Sequence, residues 1–103
     1  MVSDFSQIVH EVSGIGDFTA KKEKSRQLYQ VNDNTFLVIN SHTLELRCDT
    51  KLSDLLKTKY ESVMESRYFG KNGIEIVPAG QLTEAEIKDL IRLSYDLTVQ
   101  KSA

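Results

Sequence analysis

Two short stretches concentrate the side chains that could meet a charged ligand. Lys21-Lys22-Glu23-Lys24-Ser25-Arg26 sets four cations against one acid, and Arg67-Tyr68-Phe69-Gly70-Lys71-Asn72 interleaves two cations with two aromatics. Lys and Arg neutralise phosphates, and a β-ribbon carrying cations and aromatics can enter a nucleic-acid groove or stack on bases. Lys21, Lys22, Lys24, Arg26, Arg67 and Lys71 are therefore the candidate nucleic-acid-binding residues. Each stretch also has a structural reading. Lysines along a strand edge keep it from pairing with another chain, and Tyr68 or Phe69 can sit in the core at a sheet edge. The chain carries 13 basic and 15 acidic residues, net −2, which opposes strong nonspecific attraction to nucleic acid. The cations are unevenly spread: residues 18–31 carry +3 and residues 66–81 carry +1, against −3 for residues 1–17.

Other chemistry finds little support. The metal-ligand types His10, His42 and Cys48 fall in a helix, a turn and a strand, without paired ligand spacing. A nucleophilic Cys48 needs a neighbouring base and exposure, and its strand parity points it inward. The carboxylates fall mostly on helix surfaces and caps, with no acid–base couple standing out. Gly14-Ile15-Gly16 resembles the start of a dinucleotide fingerprint, but it follows a helix and Thr19 replaces the third glycine. No glycine loop leads into Lys-Ser/Thr. Tyr95 reads as a half-buried aromatic whose hydroxyl finds a partner. No catalytic residue, metal or cofactor is expected, and the chain reads as non-enzymatic.

The elements that position these residues centre on Thr35–Cys48. Leu44, Leu46 and Cys48 alternate with Thr43, Glu45 and Arg47, which predicts a strand with the first set in the core and the second in water. Phe36-Leu37-Val38-Ile39 does not alternate, which predicts a central strand covered on both faces. Asn40-Ser41-His42 and Asn32-Asp33-Asn34 are turn sequences, so Leu28–Val31 completes a three-strand meander. Phe18-Thr19-Ala20 is at most a short strand before a basic loop or strand edge. Phe5, Ile8, Val9 and Val12 predict a first helix, with Ser3 as N-cap and Gly14 as its left-handed stop. Asp49 caps a second helix with the stripe Leu52, Leu55, Leu56, Tyr60 and Val63. Ser66–Phe69 and Gly73–Val77 flank the turn Gly70-Lys71-Asn72-Gly73, and Pro78 ends that strand. Thr83 and Glu86 form a capping box for a last helix, with Leu82 and Ile87 as its staple and Ile87, Leu90, Ile91 and Ser94 on its inner face.

At 103 residues the chain is expected to be one domain, residues 1–103, with a core large enough to need no staples. A lone cysteine fits a reducing compartment, so a cytoplasmic location is expected. No apolar run approaches the roughly 20 residues of a membrane span, and the N-terminus does not read as a secretory signal.

The stretch Leu44–Val99 resembles the MmcQ/YjbR-like family. Leu44-Glu45-Leu46-Arg47-Cys48-Asp49 is similar to its strand-to-helix junction, and Ser94-Tyr95-Asp96-Leu97-Thr98-Val99 to its closing motif. The N-terminal half, with Gly16-Asp17-Phe18-Thr19-Ala20 and Leu28-Tyr29, also resembles the N-terminal domain of TfoX-type competence regulators. The resemblance implies a bacterial α+β domain of two layers, α-β3-α-β2-α, with a curved antiparallel sheet. It implies no established reaction, cofactor or catalytic residue, and DNA binding through wing-like hairpins as the family's proposed role. Where that family has a basic residue, His and Trp in the second hairpin, this chain has Lys71-Asn72-Gly73-Ile74.

Two functions follow as expectations. One is weak DNA binding through the two basic segments, which requires those cations on one side of the fold. The other is a protein-interaction module that binds a partner or itself through the sheet face, which requires an uncovered apolar patch.

Overall fold

Alternation in Leu44-Glu45-Leu46-Arg47 has the expected result: Leu44 and Leu46 are fully buried in the core. The computed structural model describes residues 8–77 and 81–102. The chain runs from a 3-10 turn at Ile8–Glu11 through β1 (Thr19–Glu23), β2 (Arg26–Val31), β3 (Asn34–Ile39) and β4 (Leu44–Arg47) to α1 (Thr50–Lys59), and then through β5 (Val63–Ser66) and β6 (Gly70–Ile76) to α2 (Glu84–Ser102). Neighbouring strands are antiparallel, in the order β1-β2-β3-β4-β6-β5. This is the expected α+β class. Leu56 of α1 and Ile87, Leu90, Ile91 and Tyr95 of α2 share one apolar cluster with Leu37, Leu46, Ile74 and Ile76, so both helices cover the same sheet face.

The run Phe36–Ile39 fails to alternate for a local reason. Tyr29 pairs with Leu37 but Gln30 pairs with Thr35, which leaves Phe36 as an extra residue in β3. A bulge re-aims a side chain, and Phe36 and Leu37 both join the core. Val38 returns to the opposite face, between Leu28 and Glu45.

Helix α2 is fastened where that bulge interrupts the sheet. The β3–β4 ladder ends at the pair Leu37–Leu46. One step on, the Ser94 hydroxyl donates to the Phe36 carbonyl at 2.6 Å and accepts from the Arg47 amide at 2.8 Å. A side chain thus stands in for a missing backbone bond, which satisfies two groups that would be costly to bury alone. One turn later, Thr98 donates its hydroxyl to the Ser94 carbonyl at 2.8 Å. The start of α2 carries the expected capping box: the Glu86 amide donates to Thr83 Oγ1 at 3.1 Å and the Thr83 amide to Glu86 Oε1 at 2.9 Å. Asp49 caps α1 through the Leu52 amide at 2.8 Å.

Several expectations require correction. The meander has four strands and not three, because Thr19–Glu23 pairs along its whole length with β2; of the two readings of the basic segment, the strand edge is the one that holds. Helix α1 stops at Lys59, Val63 belongs to β5, and Leu55 is 60% exposed. The second hairpin turns at Arg67-Tyr68-Phe69, with Gly70 at φ +65°, while Asn72 and Gly73 lie inside β6. Gly73 is there for space: a Cβ would meet Phe69 and come within 2.7 Å of the Leu46 carbonyl oxygen. Glu45 does face away from the helices, yet it is buried. Gly14 has the expected left-handed backbone, φ +85°, but it does not stop a helix, because the described part of the expected first helix is a 3-10 turn that ends at Glu11. The expected roles of Ser3, Phe5 and Pro78 lie outside the described residues.

Ile91 is fully buried in this core, whereas Thr83 contributes only a cap. Urea melts should therefore show Ile91→Ala losing about 2–5 kcal/mol and Thr83→Ala about 1 kcal/mol. Equal losses would contradict this packing.

Candidate functional site

Across the face away from the helices, Leu28, Val38, Glu45, Glu75 and Met64 pair in one row from β2 to β5. Glu45 and Glu75 are 1% and 3% exposed. Like charges directly opposite on neighbouring strands repel, and burying each carboxylate costs several kcal/mol unless it is paired or hydrogen-bonded. Turns and the end of β5 supply the partners. Glu45 Oε2 accepts from Asn40 Nδ2 at 2.9 Å, and its Oε1 accepts from Ser66 Oγ at 2.7 Å and the Tyr68 amide at 2.9 Å. Arg67 grips Glu75 with two bonds, Nε to Oε1 at 3.0 Å and Nη2 to Oε2 at 2.7 Å, and Thr43 Oγ1 adds a third at 2.7 Å. Burial pushes the Glu75 carboxyl up, but the hydrogen bonds from Arg67 and Thr43 and the Arg67 charge outweigh it. The carboxyl lies below its ordinary value.

These bonds draw the turn Arg67-Tyr68-Phe69 over the sheet. The Tyr68 hydroxyl shares a hydrogen bond with Thr35 Oγ1 at 3.1 Å, and the Arg26 guanidinium lies 5.3 Å from the Tyr68 ring centre. Phe69 meets Tyr68 edge to face at 4.9 Å, and Arg47 lies 5.1 Å from the Phe69 ring while its Nη2 donates to the Thr35 carbonyl at 3.1 Å.

A polar cleft of about 650 Å³ opens beside this clasp. Its walls come from three hairpins: Glu23, Lys24, Ser25 and Arg26 from β1–β2, Asn40, Ser41 and Glu45 from β3–β4, and Arg67 and Tyr68 from β5–β6. Of the six candidate cations, Lys24, Arg26 and Arg67 meet here. Lys21 pairs with Leu28, and strand alternation places it on this face with Glu23. Lys22 alternates to the other side of β1, and Lys71 lies on β6 without lining the cleft. Arg26 is committed to Glu23 at 2.8 Å and Arg67 to Glu75, whereas among the described residues no ion pair involves Lys21, Lys22, Lys24 or Lys71.

A second cavity, of about 350 Å³, is lined by Arg47, Cys48, Asp49, Asn72, Leu97 and Gln100. Cys48 is 2% exposed, and burial together with the Asp49 charge pushes its thiol up to about 11. That is the reverse of what a nucleophile requires. Tyr95 packs edge to face on Phe36 at 5.1 Å and donates its hydroxyl to the Asp17 carbonyl at 3.1 Å. Among the described residues there is no cluster of three metal-ligating side chains, and no helix is long and apolar enough to cross a membrane.

Two proteins of known structure share this fold. One is the Deinococcus radiodurans protein DR2400, described as a DUF419 domain. It superposes with a TM-score of 0.82 at 14% identity, over 97% of this chain and 79% of that one. The other is a protein from Pseudomonas syringae, with a TM-score of 0.72 at 18% identity, over 92% of this chain and 98% of that one. No family model matches the chain, and no curated protein matches it.

Glu45, Glu75, Thr43 and Asn40 were absent from the sequence-derived site. Their signal was the repeated pattern of an acid between core residues, Leu44-Glu45-Leu46 and Ile74-Glu75-Ile76, with Arg67 as a partner on the same hairpin.

Because the folded Glu75 carboxyl lies below its ordinary value of 4.5, its contribution to stability is present above that pH and is lost as pH falls through the folded value. Glu75→Gln should flatten the acid limb of the stability–pH curve while leaving its shape above pH ~6 unchanged. An unaltered acid limb would show that the Arg67–Glu75 pair contributes nothing. Cys48 should label slowly with a thiol reagent at neutral pH and rapidly after unfolding. Fast native labelling would contradict its burial.

Proposed function

We propose that this protein is a small non-enzymatic domain that contacts nucleic acid weakly, and largely without sequence preference, through the face opposite its helices. The observation that carries this reading is the cleft that gathers Lys24, Arg26, Arg67 and Tyr68 from separate hairpins. Lys21 extends the same face along β1. Cations, an exposed phenol ring and hydroxyls suit phosphate and sugar contacts better than they suit a buried apolar partner. The protein-interaction alternative has less to draw on, since Leu28 and Val38, the apolar residues in the middle of this face, are 3% and 0% exposed.

We also propose that the chain belongs to the MmcQ/YjbR-like group, and is bacterial and cytoplasmic. In support, its closing motif residues Ser94, Tyr95 and Thr98 each make a tertiary or helical hydrogen bond. The buried free thiol of Cys48 suits a reducing compartment.

Affinity should be on the order of 10⁻⁴–10⁻⁶ M at physiological salt and should fall steeply as salt rises. In anisotropy titrations, the double variant Lys21→Ala/Lys24→Ala should lower the log–log salt slope by about one unit for each phosphate that it no longer neutralises. The control Lys22→Ala/Lys51→Ala, with one cation on the other side of β1 and one on α1, should leave the slope nearly unchanged. Absence of binding at low salt, or equal effects of the two pairs, would overturn the proposal.

A further inference from the structure

We infer that the cleft takes single-stranded nucleic acid, with a base against Tyr68 and the backbone along Lys24; this rests on the nucleic-acid reading above. Three observations lead there. First, the cleft holds about 650 Å³, a volume that fits a small molecule or a splayed nucleotide. Its walls come from three hairpin turns, and a duplex keeps its bases paired and stacked, so only an unpaired base can present its face to the Tyr68 ring. Second, Tyr68 is 39% exposed although its hydroxyl is fixed by Thr35 and its ring is held by Phe69 and Arg26. An aromatic ring and an adjacent guanidinium are the groups on which unpaired bases stack. Being anchored at its hydroxyl, the ring loses little freedom when a base arrives.

The third observation concerns charge. Three cations line the cleft, but Arg26 is engaged by Glu23 at 2.8 Å and Arg67 by Glu75 at 2.7 Å. Duplex binding draws its affinity from the number of phosphates neutralised, and few cations here are free to do so. One stacked base is worth roughly 5- to 150-fold in affinity, whatever the base. Stacking therefore outweighs charge at this site, and a base is available for it only when unpaired.

The test compares an oligothymidylate of about 12 nucleotides with a duplex of equal length by anisotropy at low salt. The single strand should bind tighter on the order of tenfold. Tyr68→Ala should lose about that factor for the single strand and leave the duplex unchanged, while Tyr68→Phe, which keeps the ring, should retain binding. Circular dichroism melts establish that each variant is folded. If Tyr68→Ala does not fold, the Tyr68 ring-proton NMR signals of the wild-type protein provide the measurement, and they should shift during titration with the single strand. Duplex binding as tight as the single strand, or ring signals that stay put on saturation, would overturn the inference while leaving nucleic-acid binding standing. Failure of both ligands to bind would overturn the inference and the binding proposal together.

Discussion

Glu45 and Glu75 lie side by side across β4 and β6 with almost no water to screen them. Two adjacent buried carboxylates are tolerable only if each lone pair finds a donor. Apart from Ser66 at the end of β5, the donors come from the β3–β4 and β5–β6 turns, so those turns must fold inward over the sheet. The position of Arg67, the hydroxyl contact of Tyr68 and the packing of Phe69 against Gly73 and Arg47 all depend on that requirement. The hairpin that the family resemblance would make a wing is, in three dimensions, a clasp.

The two faces of the sheet are thus stabilised by different physics. Toward the helices, burial of Leu, Ile and Phe side chains supplies the non-directional driving force. On the other face directional bonds dominate, and they leave a concave polar surface in place of a sealed one. The same bonds restrict what that surface can offer a ligand. A guanidinium that already holds a carboxylate must share or release it before it can fully engage a phosphate. A chain of net −2 thus gathers Lys24, Arg26 and Arg67 in one cleft while two of the three are already held by carboxylates.

Local signals carried much of the fold. The Thr83–Glu86 box, the Asp49 cap and the Leu44–Leu46 parity are set by residues close in sequence, and each stands where the pattern placed it. The failures share a cause, which is that tertiary contact overrode local preference. Asn72-Gly73 has the chemistry of a turn, yet the close approach of Phe69 and Leu46 draws Gly73 into a strand. The lysines of residues 21–24 left open a loop or a strand edge, and it is pairing with β2 that makes most of them an edge. Half of the candidate site was legible, since Lys24, Arg26 and Arg67 do converge. The acids that organise it were not, because period-two alternation tells which way Glu45 points and not what will cover it.

The Ser94 bridge has a consequence for the order in which the protein can form. Phe36 and Arg47 belong to the meander, which a nascent chain completes well before α2 exists. Until the helix docks, the Phe36 carbonyl and Arg47 amide have no mutual partner at the centre of the sheet. The meander and the last helix are therefore joined in one cooperative step, linking residues 58 positions apart. Closing a loop of that length slows folding more than it lowers stability. Native-state hydrogen exchange at the Arg47 amide would then report detachment of a helix that lies far away along the chain.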